Sequence, residues 1–518
     1  MLVQQFLESS AKRSPDSVAL VVGQRRVTYR ELDAAANRLA HALGEAGVRR
    51  GDRVTILLEN SVEAVVAIFG ALKLGAAFVV LHPSTKRDKL ALLLDDAAPS
   101  ALITHSALVR DALAVIAAAP SLSCLVWTDD EPPAVGGAAR SICWNELASY
   151  SAERPYCAAI DVDLATLIYT SGSTGQPKGV MATHANMVAA ATSINTYLGN
   201  TAEDVILNVL PLAFDYGLYQ ILLAFQVGAR VVLEKGFAYP ARLIALVERE
   251  GITGLPGVPT LFALLLKYPD LLQRELPSLR YLTNTAAALP PSHVLQLRSA
   301  FPRARLFSMY GLTECKRVSY LPPEEVDRRP ASVGVAIPNT EVYVVGEDGR
   351  RLPAGGIGEL VVRGSHVTRG YWRAPDLTAA RFRPGPFPGE TVLYTGDLFR
   401  MDEEGYLYFV ARKDDVIKSR GEKVSPREVE AAVCQLAGVA EAAVVGVPDP
   451  LLGQAILLVV VPRDGVELTE RDVRAHCART LEDFMQPKHV SIAPELPRTA
   501  NGKVDKQRIG AEFTLCVA

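Results

Sequence analysis

The sequence predicts an α/β fold with a large N-terminal domain of βα-layered sheets, a β-rich subdomain within it, and a small α+β C-terminal domain. Three observations lead to this prediction. The chain has 518 residues, whereas a single hydrophobic core stops growing beyond about 250–300 residues. Helical spacing and short β-branched runs alternate through roughly the first 400 residues. The remaining residues have helices and strands of their own.

Hydrophobic spacing predicts the elements of the large domain in order. Residues 31–47 have the spacing of a helix and end at a glycine, residues 52–59 form a predicted strand, and residues 61–75 form a predicted helix. Alternating units of this kind build parallel sheets that are covered on both faces. The same alternation recurs in residues 229–235, 239–251, 252–268 and 279–301.

The pattern changes in the last third of the chain. Residues 355–410 have shorter strands and hairpin-like turns, which predict the β-rich subdomain. Helices are then predicted at 425–438 and 469–481, and strands at 439–449 and 455–464. A boundary is therefore expected near residues 411–415, so that residues 1–411 and 412–518 form the two domains.

Composition limits the classes of partner. The chain has 54 Lys and Arg against 57 Asp and Glu, and no basic run suited to nucleic acid or anionic lipid. The most apolar long stretch, residues 62–81, contains Lys73 and two glycines, so it predicts a helix followed by a strand rather than a membrane span. Seven scattered cysteines without a C-x-x-C pair, and the lack of a signal-peptide pattern, predict a cytoplasmic protein with reduced thiols.

A glycine-rich stretch, YTSGSTGQPKGV at residues 169–180, lies between an apolar run (164–168) and a predicted helix. Backbone N–H groups in such turns converge on phosphate oxygens, while hydroxyl groups and a lysine add donors and charge. A Walker-type P-loop is excluded, because Pro177 precedes Lys178 and Gly179 follows it. From composition alone, a phosphate-binding loop and a flexible turn remain open.

The complete string resembles the phosphate loop of the adenylate-forming superfamily, which contains acyl- and aryl-CoA synthetases, nonribosomal peptide synthetase adenylation domains and luciferases. Four further stretches resemble motifs of that family in the expected order: SMYGLTEC (308–315), YTGDLFR (394–400), ARKDDVIKSRGEKVSPREVE (411–430) and PRTANGKVDK (497–506). The resemblance covers nearly the whole chain. It implies a C-terminal domain that is mobile, and ATP, Mg²⁺ and a thiol as reactants or cofactors.

The implied chemistry has two half-reactions. A carboxylate attacks the α-phosphorus of ATP to give an acyl-adenylate and pyrophosphate, and a thiol then attacks the activated carbonyl. Negative charge develops on oxygen in both steps, so positioned positive groups and Mg²⁺ are expected to lower the barriers, and no Ser/His/Asp triad is expected.

The resemblance also implies roles for individual residues. Lys503 bridges the carboxylate and the α-phosphate, Thr313 orients that phosphate, and Glu314 binds Mg²⁺. Tyr310 offers its ring to the purine, and Asp397 and Arg412 bind the ribose. Residues 286 and 287 are alanines where the family usually has glycines. The full set implied for nucleotide binding is Thr170, Ser171, Gly172, Ser173, Thr174, Gly175, Lys178, Thr285, Ala286, Ala287, Tyr310, Gly311, Asp397 and Arg412.

The implied acid pocket contains one informative pair. Phe214 and Asp215 match a pattern of amino-acid-activating domains, in which the carboxylate pairs with the substrate ammonium. A buried carboxylate needs a cationic partner. Lys316 or Arg317 could instead pair with Asp215 inside the protein and leave an uncharged acyl or aryl pocket, which is the interpretation slightly preferred. The implied pocket residues are Phe214, Asp215, Tyr219, Gly257, Asn284, Met309 and Arg317.

The implied thiol site lies in the C-terminal domain. Asp414 matches the hinge of that domain, and Lys418 and Gly421 lie in the segment that lines the thiol tunnel after the domain turns. The sequence contains no carrier segment, so the expected acceptor is free CoA or the phosphopantetheine of a separate carrier protein. Stand-alone enzymes of this kind are associated with secondary metabolite assembly.

Three alternatives remain to the acyl-activating prediction. The first is a stand-alone enzyme that activates an amino acid, proline-like or other, and loads a separate peptidyl carrier protein. The others are a luciferase-like oxygenase and a non-catalytic homologue. The presence of Glu314, Asp397 and Lys503 disfavours the non-catalytic homologue.

Overall fold

The computed structural model describes residues 1–136, 139–171, 177–237, 239–268, 274–285, 289, 291–412, 417–424, 426–463, 465–497 and 504–517. Residues 1–412 are called the N-terminal part below, and residues 417–517 the C-terminal part. The predicted boundary at 411–415 lies mostly outside the described residues, and the two-domain division stays a prediction.

The strands, in chain order, are β1 Val18–Val22, β2 Arg25–Thr28, β3 Arg53–Leu57, β4 Ala77–Val80, β5 Ala101–Thr104, β6 Cys124–Trp127, β7 Arg140–Cys143, β8 Leu164–Ser171, β9 Pro177–Thr183, β10 Val205–Asn208, β11 Arg230–Leu233, β12 Gly254–Gly257, β13 Tyr281–Asn284, β14 Arg305–Tyr310, β15 Ser319–Leu321, β16 Val335–Ala336, β17 Thr340–Val345, β18 Ile357–Gly364, β19 Phe382–Pro384, β20 Thr391–Met401, β21 Leu407–Arg412, β22 Ile417–Ser419, β23 Glu422–Val424, β24 Val439–Asp449, β25 Gly453–Pro462 and β26 His489–Ile492.

The α-helices, in chain order, are α1 Gln5–Arg13, α2 Tyr29–Glu45, α3 Val62–Leu74, α4 Arg87–Ala97, α5 Ser106–Val109, α6 Leu113–Ala118, α7 His184–Leu198, α8 Asp215–Val227, α9 Pro240–Glu250, α10 Pro259–Leu266, α11 Pro291–Ala300, α12 Pro375–Arg381, α13 Pro426–Cys434, α14 Glu470–Thr480 and α15 Lys506–Val517.

Two large sheets form the first layers of the N-terminal part. One has the strand order β16-β15-β14-β13-β12-β10-β11-β1-β2, and the other has the order β7-β6-β5-β3-β4-β8-β9. Their central strands are parallel. Antiparallel strands lie at both edges of the first sheet and at the β9 edge of the second, whereas β7 at its other edge is parallel to β6. Helix α3 is buried along almost its whole length, because all its residues except Glu63 and Lys73 are apolar, and the buried Lys73 pairs with Glu8 and Asp33. The predicted βα-layered architecture is therefore confirmed.

Two smaller antiparallel-rich sheets follow. The first has the order β17-β18-β20-β19 with β21 paired to β20, and it is the predicted β-rich subdomain, extended towards the N-terminus by β17. The second, in the C-terminal part, has the order β23-β22-β25-β24 with β26 parallel to β25. Within the described ranges, none of the helices combines the length and apolar character that a membrane span requires.

The helix predicted after the glycine-rich stretch is α7, but the strand that precedes this helix was missed in the sequence. Residues 177–183 form β9, which pairs antiparallel with β8 and places Lys178 opposite Thr170. Helix α7 begins only at His184, where the Thr183 side chain accepts a hydrogen bond from the Asn186 backbone N–H. The described residues at the two ends of the glycine-rich stretch therefore belong to two paired strands, and residues 181–183 separate the stretch from α7.

Candidate active site

The ends of three adjacent parallel strands gather the predicted pocket residues. Gly257 at the end of β12 is in register with Asn284 at the end of β13, and Asn284 is in register with Ser308 near the end of β14. Ligands of open α/β sheets bind where the carboxyl ends of such strands meet. The chain leaves this edge at Thr285 and Tyr310, so the sheet brings the distant motifs of the sequence to one place.

A tight turn follows β14 and carries the residues of the YGLTE motif. The Lys316 backbone is left-handed, with φ 66°, and its N–H donates to the Leu312 carbonyl at 2.7 Å. A Cβ on Gly311 would lie 2.2 Å from the Lys316 carbonyl oxygen. Glycine is thus required at position 311 for the turn to close, independently of any contact with nucleotide.

The predicted ribose-binding carboxylate is held by the predicted purine-binding residue. The Tyr310 hydroxyl donates to Asp397 Oδ2 at 2.7 Å, and the Asp397 residue is 1% exposed. The Tyr310 ring packs edge to face on Phe399, with centroids 4.8 Å apart. Arg412, of which the structure describes the backbone, lies directly opposite Asp397 on β21. These residues come together although up to 102 positions separate them.

Lys178 and Glu314 lie beside the same aromatic ring. The Tyr371 hydroxyl donates to Glu314 Oε1 at 2.7 Å, and Lys178 Nζ lies 5.8 Å from the centroid of the Tyr371 ring. Tyr371 was missed in the sequence, where the only signal is a glycine followed by two aromatic residues in RGYW. This tyrosine connects the glycine-rich stretch with the predicted Mg²⁺-binding carboxylate.

The donor set around Glu314 suits a metal that is shared with phosphate. Among the described residues, no group of three or more His, Cys, Asp or Glu side chains is arranged to hold a metal ion. Mg²⁺ is usually bound by one or two carboxylates together with substrate phosphates and water. The residues present therefore fit Mg²⁺ bound with a nucleotide, and they do not form an all-protein cage.

A cavity of ≈ 130 Å³ lies between the N-terminal and C-terminal parts. Nine of the predicted residues line it: Thr170, Phe214, Asp215, Tyr219, Thr285, Gly311, Thr313, Arg317 and Gly421. Lys316, considered above as a partner of Asp215, also lines it, as do Lys89, Glu482, Phe484 and Met485, which the sequence did not indicate. The predicted nucleotide, acid and thiol segments thus border one space.

Three predicted pocket residues lie behind the wall of this cavity. A Cβ on Gly257 would lie 2.7 Å from Phe262, so that position supports packing. Asn284 is fully buried. The Met309 sulfur accepts a hydrogen bond from the Tyr197 hydroxyl at 3.0 Å. These residues shape the pocket by supporting its lining.

Asp215, the first residue of α8, is half-buried and lines the cavity. Within the described ranges it forms no ion pair with Lys316 or Arg317. Lys316 Nζ instead donates to the Thr313 carbonyl at 2.9 Å. Burial lowers the pKa of Lys316, and the negative charges of Asp215 and Glu314 oppose that effect. The internal ion pair considered from the sequence is therefore absent here.

The predicted thiol-tunnel residues contact the N-terminal part. Gly421 lies in the turn between β22 and β23 with φ 81°, and a Cβ at this position would lie 2.8 Å from Val258 Cγ1. Lys418 Nζ lies 5.0 Å from the centroid of the Phe409 ring. This turn therefore forms part of the cavity wall.

Several predicted residues lie outside the described residues, and the structure neither supports nor opposes their predicted roles. They are Gly172, Ser173, Thr174, Gly175, Ala286, Ala287, Asp414 and Lys503, while Ser171 is described by its backbone at the end of β8.

A buried ionic cluster, which the sequence did not indicate, joins the two parts. Lys89 Nζ lies 3.0 Å from Glu482 Oε2 and 3.1 Å from Glu428 Oε1. The Thr85 hydroxyl donates to Glu482 Oε1 at 3.2 Å. These four residues are called the Lys89 cluster below. It lies at the contact between the two parts, and Lys89 and Glu482 also line the cavity.

Two family models match the chain. One, described as AMP-binding enzyme, matches residues 7–372, and the other, described as AMP-binding enzyme C-terminal domain, matches residues 428–503.

Individual proteins resemble the chain over nearly its whole length. It is 31% identical over 513 residues to tyrocidine synthase 2 of Brevibacillus parabrevis, but the 98% of this chain that matches spans only 14% of that protein. It is 29% identical over 540 residues to the long-chain-fatty-acid–CoA ligase of Bacillus subtilis (strain 168), covering 99% of this chain and 94% of that ligase. A double mutant of o-succinylbenzoate CoA synthetase from Bacillus subtilis superposes with a TM-score of 0.85 at 28% identity, covering 98% of each chain.

Proposed function

Because the chain belongs to the AMP-binding enzyme family, we propose that it joins a carboxylic acid to AMP with release of pyrophosphate and then transfers the acyl group to a thiol. The observation that carries this proposal is the convergence of separate motifs on one cavity. Thr170 of the glycine-rich stretch, Thr313 of the YGLTE motif and Gly421 of the C-terminal part all line it.

The chemistry follows from these groups. In the first step an acid oxygen bonds to the α-phosphorus of ATP, and the bond to the pyrophosphate oxygen breaks. In the second step a thiol sulfur bonds to the carbonyl carbon, its proton leaves, and the bond to AMP breaks. Lys178 and Lys503 would neutralise charge on oxygen in these steps, and the Thr313 hydroxyl would donate a hydrogen bond that orients the α-phosphate.

Mg²⁺ would supply charge neutralisation at the phosphates, with Glu314 as its protein ligand. Glu314 accepts a hydrogen bond from the Tyr371 hydroxyl, which orients the carboxylate. Tyr310 and Asp397 would hold the adenosine moiety. Asp397 is buried at the end of a hydrogen bond from Tyr310, so its carboxylate is fixed before a ribose arrives.

The acceptor would be free CoA or the phosphopantetheine of a separate carrier protein. Relatives of both kinds resemble the chain, since one is named as a CoA ligase and another as tyrocidine synthase 2. The six described cysteines are free thiols, which suits a reducing compartment such as the cytoplasm. A role in secondary metabolite assembly belongs to the same proposal.

Amino-acid activation is a second candidate for one specific reason. Asp215 lines the cavity and has no ion-pair partner among the described residues. A substrate ammonium would supply that partner and would offset the cost of holding the carboxylate away from water.

Pyrophosphate release in the presence of ATP, Mg²⁺ and single acids tests the proposal. We expect release with at least one fatty, aromatic, dicarboxylic or amino acid, and thioester formation when CoA or a carrier protein is added. The Lys503→Ala variant should lose adenylation while retaining ATP binding. Release from no acid at all, or full adenylation by Lys503→Ala, would contradict the proposal.

A further inference from the structure

A buried guanidinium faces the acid end of the cavity. Arg317 is 5% exposed and lines the cavity. Within the described ranges no carboxylate forms an ion pair with it, and its Nε has no hydrogen-bond partner. A buried charge is strongly disfavoured unless it is paired. The described part of the chain therefore holds a positive charge at this place without a carboxylate paired to it.

The surroundings of Arg317 are aromatic. Its guanidinium carbon lies 5.1 Å from the centroid of the Tyr216 ring. Its positive charge also acts to lower the pKa values of Tyr197 and Tyr219, against the larger effect of burial. Burial raises the pKa values of all three tyrosines. They stay neutral near pH 7, so they cannot neutralise the guanidinium. They exclude water from it and can only donate or accept hydrogen bonds.

One of these tyrosines offers a second donor. The Tyr219 hydroxyl is buried, and it has no hydrogen-bond partner among the described residues. Tyr219 lines the same cavity as Arg317. Two unfulfilled donors, one of them charged, therefore border one enclosed space. An anionic acceptor with two oxygens would satisfy both groups.

The neighbouring charges do not cancel Arg317. The negative charge of Asp215 acts on Lys316, where it opposes the lowering of the Lys316 pKa by burial, and Asp215 forms no ion pair with Arg317 among the described residues. Lys89 is paired with Glu482 and Glu428. Among the described residues that line the cavity, Arg317 is a buried cation whose guanidinium has an unpartnered nitrogen.

We infer that the acid activated by this protein is a dicarboxylic acid, whose second carboxylate binds to Arg317 and Tyr219 while the first reacts with ATP. This inference rests on the proposed function. Asp215 leaves room for an amino group on the same substrate, so the class includes amino dicarboxylic acids. The second carboxylate would turn an unfavourable buried charge into a charge-assisted, hydrogen-bonded pair.

Matched pairs of acids test the inference. Pyrophosphate release is measured with succinic and succinamic acid, glutaric and glutaramic acid, and aspartic acid and asparagine, which differ only in charge at the far end. We expect kcat/KM to be about 100-fold higher for the dicarboxylic member of at least one pair, since a half-amide leaves a buried charged donor without its partner.

Variants assign the preference to particular residues. Arg317→Met should remove the preference for the dicarboxylic acid over its half-amide, and Tyr219→Phe should reduce this preference by about tenfold. Arg317→Lys, which keeps the positive charge, should retain part of it. Arg305→Met is the matched control, because Arg305 also lies over an aromatic ring, at 5.6 Å from the Phe307 centroid, but does not line the cavity. It should keep the full preference.

A binding measurement keeps the inference testable if the Arg317 variants lose all activity. In the presence of ATP, the preferred dicarboxylic acid should raise the melting temperature of the wild-type protein and of Arg305→Met, but not of Arg317→Met. Equal or better turnover of the half-amides, or a preference that survives Arg317→Met, would overturn the inference. If other acids release pyrophosphate and no dicarboxylic acid does, the inference fails while the proposed function stands; if no acid does, both fail.

Discussion

At the scale of single residues, Gly311 shows how the backbone fixes the site. A Cβ at this position would lie 2.2 Å from the Lys316 carbonyl oxygen, which is rigid backbone rather than a movable side-chain end. We expect Gly311→Ala to lower the free energy of unfolding by about 1–3 kcal/mol through overpacking. It should also weaken ATP binding, because the turn carries Thr313 and Glu314. Urea unfolding and ATP titration check both effects.

Gly236 offers a matched control for this change. A Cβ on Gly236 would have no heavy atom within 4 Å, and its φ is not positive. Gly236→Ala should therefore leave both the urea midpoint and ATP binding close to wild type. If Gly311→Ala changes the urea midpoint and ATP binding no more than Gly236→Ala does, the prediction for Gly311 is wrong.

His184 makes stability depend on pH. Burial lowers its pKa to about 4, and its Nδ1 accepts the Val3 backbone N–H at 3.1 Å. In the unfolded chain a histidine has a pKa of about 6.5. Between these values the unfolded chain binds the extra proton, so stability falls as pH decreases from about 6.5 to about 4, by about 3 kcal/mol for this residue.

His184→Gln should flatten this dependence, because the glutamine amide oxygen can still accept from Val3 but does not titrate. The urea midpoint measured from pH 7 to pH 4.5 reports the slope. His41→Gln is the control, since His41 is half-buried and its ring contacts the Glu153 carbonyl near the surface. An unchanged slope in His184→Gln would contradict the assignment.

At the scale of elements, the β22–β23 turn seats the C-terminal part on the N-terminal part. A Cβ on Gly421 would lie 2.8 Å from Val258 Cγ1, and φ at Gly421 is 81°. Gly421→Ala should therefore combine left-handed strain of about 1 kcal/mol with a clash between the parts. We expect faster proteolysis of the C-terminal part and slower thioester formation.

Two further variants separate strain from clash. Gly349→Ala introduces the same strain, at φ 76°, into open space. Gly421→Ala combined with Val258→Ala removes the clash and keeps the strain. Val258 is buried, so Val258→Ala alone also lowers stability. The double variant should lose less stability than the sum of the two single variants, with a favourable coupling of about 1 kcal/mol between positions 421 and 258. Additive effects would contradict the contact.

Elements with strong local patterns were predictable from the sequence. The predicted helix at 61–75 and the strand after it are α3 and β4, because Ser61 caps the helix and apolar residues fill it. Strand β9 was missed. It contains Pro177 and Gly179, which are depleted in strands, and it exists because its backbone pairs with β8 along seven residues. Pairing of this kind is invisible to local spacing.

Some residues of the candidate site were likewise predictable from the sequence, and others were not. Motif residues such as Thr313, Asp397 and Gly421 were indicated because each belongs to a specific local string. Tyr371 was missed, since its contact is with Glu314, 57 positions away. Lys89 was missed for the same reason, because Glu482 is 393 positions away. Contacts between distant segments are set by the tertiary fold, and a single sequence does not display them.

At the scale of the whole molecule, the Lys89 cluster connects the two parts with an excess of negative charge. One ammonium lies between the carboxylates of Glu482 and Glu428. Burial opposes the charge of Lys89, but the two carboxylates outweigh it and raise the pKa of Lys89. Burial also raises the pKa of Glu428. The arrangement of the parts thus depends on a cation that keeps two acidic groups together.

Lys89→Met should release the C-terminal part at pH 8. Removing one partner of a buried ion pair costs about 3–5 kcal/mol, and the two remaining carboxylates repel each other. We expect a larger radius of gyration in small-angle X-ray scattering. We also expect faster proteolysis in the segment between residues 412 and 417, which connects the two parts.

Acid should reverse this effect, which distinguishes charge repulsion from lost packing. Lowering the pH to 5 favours protonation of Glu428, whose pKa burial has raised, so repulsion falls and the Lys89→Met variant should become compact again. Lys235→Met is the matched control: Lys235 pairs with Glu59 at the surface, where an ion pair contributes about 0–1 kcal/mol. It should scatter like the wild-type protein at both pH values. If Lys89→Met stays compact at pH 8, or stays expanded at pH 5, the cluster does not hold the two parts together by charge.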